Sequence, residues 1–411
     1  MSNVNVIAGL DIGNGYVKGL ASTGPGVKPT GIDFMSGVAY ETNPADLKVY
    51  GAGIEPAIAN IYNEMEASFD TPLVKDSIHR LFGTRGVASG NSLEEFDVNS
   101  VLSKAKQQLS AILVLGCIAG KALQEYWSQN HALPSETVKV TARLGLALPI
   151  SEYKQYRKSY AADFKSTSHM VMIHNFETPV RIEISIVDVQ VLAEGASAQY
   201  AIIDKGEPLM NAMLADVRSM GEPLEGITAQ DVLGAQNTVG IDIGEGTVNF
   251  PVFQNGKFNP DSSYTLSKGY GTVLDRAVER LSANFLFGNR KSLSEFLQQE
   301  PNALNRNRWN AAWAVVNEEI KGFAQEACQS FMRVMGRAGS YAEVIYVYGG
   351  GATPVKSILH SMLVETAKSL SGGLGYPVLY LDSRYSRYLN REGLYLIAER
   401  VAAAENGTSQ H

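Results

Sequence analysis

Two short segments of this chain carry the same arrangement of carboxylate and glycines. Residues 9–17 read GLDIGNGYV and residues 240–248 read GIDIGEGTV, six identities in nine positions. In each, an aspartate, Asp11 or Asp242, closes an apolar run. Two glycines then flank one residue in a turn: Gly13, Asn14 and Gly15, then Gly244, Glu245 and Gly246. Glycine tolerates the positive φ of a tight hairpin and lets backbone N–H groups approach a phosphate with no Cβ in the way. Two such hairpins facing each other across a cleft would grip a polyphosphate from both sides, with Tyr16 and Thr247 next in each turn. The two aspartates would hold Mg²⁺ through its retained waters. Lys18 would reach back to the phosphates as a point charge, where the second copy has Asn249. A single D-x-G-x-G reads as a polar turn; its duplication points to phosphate binding.

A third glycine cluster lies in IYVYGGGATP, residues 345–354. A β-branched and aromatic run stops there at Gly349, Gly350 and Gly351, ahead of a helix expected near Pro354. Consecutive glycines at a strand-to-helix junction permit close approach of a flat ligand such as adenine, although a triplet also suits a flexible turn. Two familiar nucleotide patterns fail. GCIAGK, residues 116–121, is one residue short of the Walker spacing, continues with Ala122 in place of Ser or Thr, and falls inside an apolar helix. Gly13-x-Gly15 lacks the third glycine of a dinucleotide fingerprint and leads into a strand. No set of His, Cys, Asp and Glu has zinc spacing, and no G-x-S-x-G occurs.

The elements that must position these residues follow from periodicity. Val4–Ile12 and Tyr16–Ala21 read as a hairpin, with a third strand around Ile32–Tyr40 after the Gly/Pro-rich turn at 24–29. Residues 43–96 read as irregular with short helices. Apolar residues recur at helical spacing from Val98 to Trp127, which predicts one long buried helix. Thr137–Ile150 reads as a buried strand ending at Pro149, followed by a polar helix, SEYKQYRKSYAADF, a strand over Arg181–Val191 and a helix from Ala196. The second copy of the repeat continues with a turn at Asn255-Gly256 and a strand near Ser263–Leu266, as the first copy does. Two homologous α/β domains are inferred.

The chain has 411 residues, 35 Lys+Arg against 42 Asp+Glu and a net charge of −7, which argues against a nucleic-acid-binding surface. Composition is that of a globular protein, with 45% hydrophobic residues. Cys117 and Cys328 sit in apolar helical surroundings at no metal or redox spacing and are expected to be buried thiols in a reducing compartment. The sequence MSNVNVIAGL shows no basic n-region or cleavage site, and the apolar run 111–119 is too short for a bilayer. A cytoplasmic location is expected.

These residues together resemble the actin superfamily. DIGNGYVK at 11–18 is similar to its first phosphate loop, DIGEGTVNF at 242–250 to its second, and YGGGATP at 348–354 to its adenosine loop. The resemblance implies an α/β, actin-like ATPase fold: two RNase H-like domains around a cleft that holds ATP, or GTP, with Mg²⁺. The domains would be 1–148, with 389–411 returning to it, and 149–388. LALPISEY, residues 146–153, resembles the connector of the plasmid-segregating, ParM-like bacterial actins, in which a glutamate after a Leu-Pro strand end faces the terminal phosphate. That position is Glu152. A carboxylate there can orient a water for in-line attack and take up its proton, although acids are common in the first turn of any helix. VLAEGASAQY, residues 191–200, resembles the segment that joins strand to helix ahead of the second loop and is assigned structure only. Glu318 and Lys321 suit either ribose contact or a charged helix face.

The function implied is a filament-forming ATPase: the chain polymerises with ATP, hydrolysis destabilises the filament, and plasmid DNA is moved through an adaptor bound to its centromere. Direct nucleic-acid and membrane contact are not expected. The alternative is a non-polymerising sugar or acetate kinase of the same fold, for which no sugar-binding motif is found. A chaperone ATPase lacks room for a substrate domain in the sixty or so residues after the triplet. A membrane-bound cell-shape actin would favour an apolar or amphipathic N-terminal extension.

Overall fold

A computed structural model describes residues 3–42, 48–97, 102–222, 224, 226–373, 375–381 and 383–408. The chain divides into two compact units, residues 1–201 with 388–411 and residues 202–387.

In the first unit ten strands form one sheet: β1 (Asn3–Ile12), β2 (Tyr16–Ser22), β3 (Thr30–Met35), β4 (Val38–Glu41), β5 (Glu66–Asp70), β6 (His79–Leu81), β7 (Leu93–Glu94), β8 (Val138–Leu148), β9 (Ser168–Ile173) and β10 (Val180–Ala193), in the order β3-β2-β1-β8-β10-β9-β5-β6-β4-β7. β1, β8 and β10 are parallel, Leu10 opposite Leu146 and Leu146 opposite Val191, so their carboxyl ends share one edge. Parallel neighbours need crossovers. Helices α1 (Gln108–Asn130) and α2 (Ile150–Lys165) precede and follow β8.

α1 is apolar nearly all round because it lies in the core, with Leu109 to Leu123 buried without a break. It is the one described helix whose length and hydropathy suit a membrane crossing, and 83% of that window is buried within the fold. Its Gly116 and Gly120, the glycines of GCIAGK, make room for aromatic rings. A Cβ on either would lie 2.6 Å from the ring of Phe82 or Tyr62. The dismissal of that motif as a phosphate loop therefore has a packing reason.

Three expectations need correction. The long helix begins at Gln108, and 104–106 form a separate 3₁₀ turn. The N–H groups of Lys104 and Ala105 are given to the Glu152 carboxylate instead of to a helix. The expected residues 98–101 lie outside the described residues. The third strand splits into β3 and β4 because Ser36 donates both its N–H and its hydroxyl to the first glycine turn. Residues 48–96 contain, besides short helices, strands β5, β6 and β7, which extend the sheet. β5, EASFD, looks polar, yet its first four residues are buried, with Glu66 compensated by His79 and Arg85.

The C-terminal helix, Leu389–Thr408, packs on β1 and β8. Contact is nearly backbone to backbone. A Cβ on Gly9 or Gly145 would collide with Tyr395 or Leu394, and one on Gly393 with the Ser197 carbonyl. Tyr395 and Ala398 bury against Ile7. The residue 148/149 position expected as a domain boundary falls between β8 and α2; β9 and β10 continue the sheet of the first unit. The chain leaves that unit inside α3 (Ala196–Ser219), which kinks at Gly206 (φ 62°), two residues before the donor-less Pro208.

The second unit repeats the scheme. β11 (Thr238–Ile243) has β12 (Val248–Phe250) and β13 (Val252–Gln254) end to end along one side, interrupted at Pro251. β14 (Lys257–Phe258) and β15 (Tyr264–Leu266) lie beyond them. On the other side, β16 (Val344–Tyr348) and β17 (Val378–Tyr380) run parallel to β11. Asn255 and Gly256, both at positive φ, make the expected β13–β14 turn. Helices α4 (Tyr270–Leu281), α5 (Arg290–Gln298), α6 (Arg306–Arg337) and α7 (Ala352–Leu370) complete the unit around a separate core. Both units thus place a hairpin and a third strand on one side of the leading strand and two parallel strands on the other. Cys117 and Cys328 are buried free thiols.

Candidate functional site

The duplicated turns are alike atom for atom in their closure. Gly13 N–H donates to the Tyr16 carbonyl at 3.0 Å, and Gly244 N–H donates to the Thr247 carbonyl at 2.9 Å. Burial runs in the same sequence through Asp11–Val17 and Asp242–Val248: two buried residues, four half-buried, one buried. Each aspartate sits opposite the same position of the next strand, Asp11 opposite Lys18 and Asp242 opposite Asn249. Neither Gly13 nor Gly244 takes the positive φ expected of a tight hairpin; a Cβ on Gly13 would lie 2.7 Å from the Tyr16 carbonyl, so close approach is what requires glycine there.

Each turn is also braced from behind. In the first unit, Ser36 Oγ donates to the Gly13 carbonyl (2.6 Å) and Ser36 N–H to that of Gly15 (3.1 Å). In the second, Tyr270 N–H donates to the Gly244 carbonyl (3.0 Å) and Gly271 N–H to that of Glu245 (2.8 Å). With their carbonyls so engaged, the turns of 13–15 and 244–246 are held in one shape. Ser36 and the pair Gly269 and Gly271, where a Cβ on either glycine would collide with the Glu245 carbonyl, were not singled out from sequence. The signal for the latter was a further G-x-G just ahead of an amphipathic helix. Burial pushes the Tyr270 phenol up to about 12.

Asp11 and Asp242 are buried, 7% and 6% exposed, at the carboxyl ends of parallel strands, where open α/β sheets bind ligands. Lys18 Nζ stands 3.4 Å from Asp11 Oδ2, so its charge is already at the first turn. In the second copy Asn249 instead accepts from the Thr265 hydroxyl at 2.8 Å, and the nearby cation is Arg290, 2.8 Å from Glu245 Oε1. Mg²⁺ is usually bound through one or two carboxylates plus phosphates and water. One buried carboxylate per turn fits that mode, and the described residues contain no cluster of three or more acidic, His or Cys side chains that would hold a metal alone.

The glycine triplet lies against the second turn. Tyr348 is opposite Asp242 in the parallel β11–β16 pair, and Gly351 N–H donates to the Ile243 carbonyl at 2.8 Å. Gly349 has φ 95°, and a Cβ there would meet Asp242 Oδ1 at 2.5 Å. Gly350, between two buried glycines, is exposed. The helix starts at Ala352, two residues ahead of the expected Pro354.

Glu152, in the first turn of α2, stands near the carboxyl edge of β8. Its carboxylate accepts from the N–H groups of Lys104 (3.0 Å) and Ala105 (3.3 Å). Burial raises its proton affinity, opposed by those two hydrogen bonds. The side chain of the same Lys104 reaches Glu194, just past the end of β10, at 2.6 Å. Glu194 N–H in turn donates to the Leu148 carbonyl (2.8 Å), which fixes the two strand ends together. Glu194 and Lys104 are carboxyl-edge residues that the sequence reading left as structure or passed over. Glu318 is exposed and pairs with Arg280, which accounts for it as a charged helix face.

Residues 240–361 match the family model for the C-terminal domain of archaeal MreB-like actin homologues. No curated protein sequence matches the chain. Solved structures match over nearly its whole length at low identity. The actin-like protein Alp7A has a TM-score of 0.64 at 13% identity, covering 99% of this chain and 99% of its own. Ta0583, an archaeal actin homologue solved in complex with ADP, has a TM-score of 0.58 at 13% identity, covering 97% and 100%. Bacillus thuringiensis ParM with ATP has a TM-score of 0.57 at 14% identity, covering 97% and 99%.

Proposed function

From the actin-like ATPase fold of this chain, we infer that it is a nucleotide-dependent polymer-forming ATPase of the ParM-like kind. The observation that carries this is the pair of D-x-G-x-G turns, closed by the same hydrogen bond and each braced from behind, one in each unit. In this reading both turns serve one Mg²⁺–ATP. Backbone N–H groups of Asn14 and Gly15, and of Glu245 and Gly246, bind phosphate oxygens in turns that Gly13 and Gly244 close, with Tyr16 and Thr247 beside them, and Lys18 adds a positive charge. Asp11 and Asp242 hold the metal, which when bound neutralises charge developing on the phosphates. Gly349–Gly351 admit the adenosine.

For hydrolysis, Glu152, whose proton affinity burial raises, accepts the proton of the attacking water, and Glu194 helps to fix that water. ATP-bound chains assemble by heterologous contacts that do not close, and hydrolysis weakens the polymer. The acidic net charge favours DNA cargo carried through a basic adaptor over direct DNA contact, so plasmid segregation is the use proposed. Likeness to the solved structures of ParM and the actin-like protein Alp7A supports that choice over a small-molecule kinase. Light scattering and pelleting at micromolar protein with Mg²⁺–ATP test it. A sedimentable polymer that disassembles as phosphate is released is expected; no polymer with ATP, GTP or slowly hydrolysed analogues removes the filament reading and leaves the kinase.

A further inference from the structure

Lys104 is 6% exposed and its partner Glu194 8%, a nearly buried ion pair at 2.6 Å. Such pairs contribute little net stability, because desolvation offsets the Coulomb attraction. A hydrophobic pair would serve the core as well. This one stands instead at the carboxyl edge of the parallel strands β8 and β10, and the lysine belongs to the same 3₁₀ turn whose first two N–H groups hold Glu152. One short segment therefore grips both Glu194 and Glu152, the first by its ammonium and the second by its backbone. Phe96 closes over the ammonium at 5.3 Å, and the Tyr160 phenol, bonded to Ser110, feels the charge of both glutamates from α2.

We propose that Lys104 is a positioning residue for ATP hydrolysis, acting through Glu194 and, by its backbone, through Glu152. The inference rests on the hydrolytic reading above. Lys104 touches no phosphate in this scheme. It holds the Glu194 carboxylate in a single orientation, so that the water set by Glu194 and Glu152 stays in line with the terminal phosphate. Its removal therefore lowers turnover without lowering nucleotide affinity.

The test compares Lys104→Met, Lys104→Arg and the double variant Lys104→Met/Glu194→Gln with the wild-type chain, measuring Mg²⁺–ATP affinity, phosphate release and thermal unfolding. Expected is a fall in kcat of about 10- to 100-fold in Lys104→Met, as for loss of a partner that orients a ligating or reacting group, with nucleotide Kd within about twofold, and recovery of most of the rate in Lys104→Arg. The double variant removes the unpaired buried carboxylate, so it is expected to unfold near the wild-type temperature and to remain slow. Wild-type turnover in Lys104→Met or in the folded double variant overturns the proposal, and so does a rate lost only in step with affinity or folding. A wild-type chain that binds ATP and releases no phosphate overturns the hydrolytic reading together with this one, a result distinct from those on the variants.

Discussion

Replacing Gly349 by alanine perturbs the junction of the glycine triplet with the second turn at one atom. The backbone there has φ 95°, and the new Cβ would meet the Ile243 carbonyl, with Asp242 Oδ1 at 2.5 Å and Ile243 N at 2.7 Å. A left-handed conformation costs a non-glycine residue about 1–2 kcal/mol. Overpacking against backbone that is itself in a parallel pair adds about 1–3 kcal/mol. Together these give about 2–5 kcal/mol, to be taken from folding stability or from displacement of Asp242. Gly350→Ala is the control for stability alone: that residue is exposed, its nearest neighbour would be Arg387 Cγ at 3.8 Å, and a change in unfolding free energy within about 0.5 kcal/mol is expected. Urea unfolding and Mg²⁺–nucleotide binding, measured by titration on both variants, separate the two routes. Gly349→Ala should show a lowered midpoint, weakened binding, or both, summing to that range. If its midpoint matches that of Gly350→Ala and its nucleotide affinity matches that of the wild type, the described contact between triplet and turn does not govern the site.

Glu152→Ala should slow phosphate release by about 100-fold with assembly intact; an unchanged rate eliminates its proposed role. Burial, with His79 stacked at 3.9 Å and Lys48 nearby, lowers the His174 pKa to about 4, against about 6.5 when unfolded. The unfolded chain therefore binds the proton first, and stability present above pH 6.5 is lost progressively toward pH 4. Urea midpoints at pH 7, 5.5 and 4.5 should fall more steeply in the wild type than in His174→Asn; parallel curves would count against it. Gly145→Ala should push the C-terminal helix off β8 at a cost of about 1–3 kcal/mol, read as faster amide exchange over 389–405, and unchanged exchange would refute the close approach.

Much of the scaffold was legible because its signals are local. The repeat at Asp11 and Asp242, the helix around 109–123 and the strands at 138–148 and 180–193 each carry their own periodicity or turn chemistry. What escaped depends on partners far along the chain. β5 looked polar because the groups that neutralise Glu66 come from His79 and Arg85. The break at Ser36 is imposed by carbonyls of residues 13 and 15. Lys104 seemed part of a helix because apolar spacing cannot register that its amide belongs to Glu152. Glu194 was placed beside a strand end but not joined to a lysine 90 residues earlier.

The proposal that two homologous turns serve one nucleotide is tested most directly by the stoichiometry of Mg²⁺–ATP binding in the wild type, Asp11→Ala and Asp242→Ala, each checked for folding. Expected is one nucleotide per wild-type chain and strongly weakened binding in both variants, although the two aspartates lie in different units. Unchanged affinity in either variant, or two independent sites per chain, would contradict it.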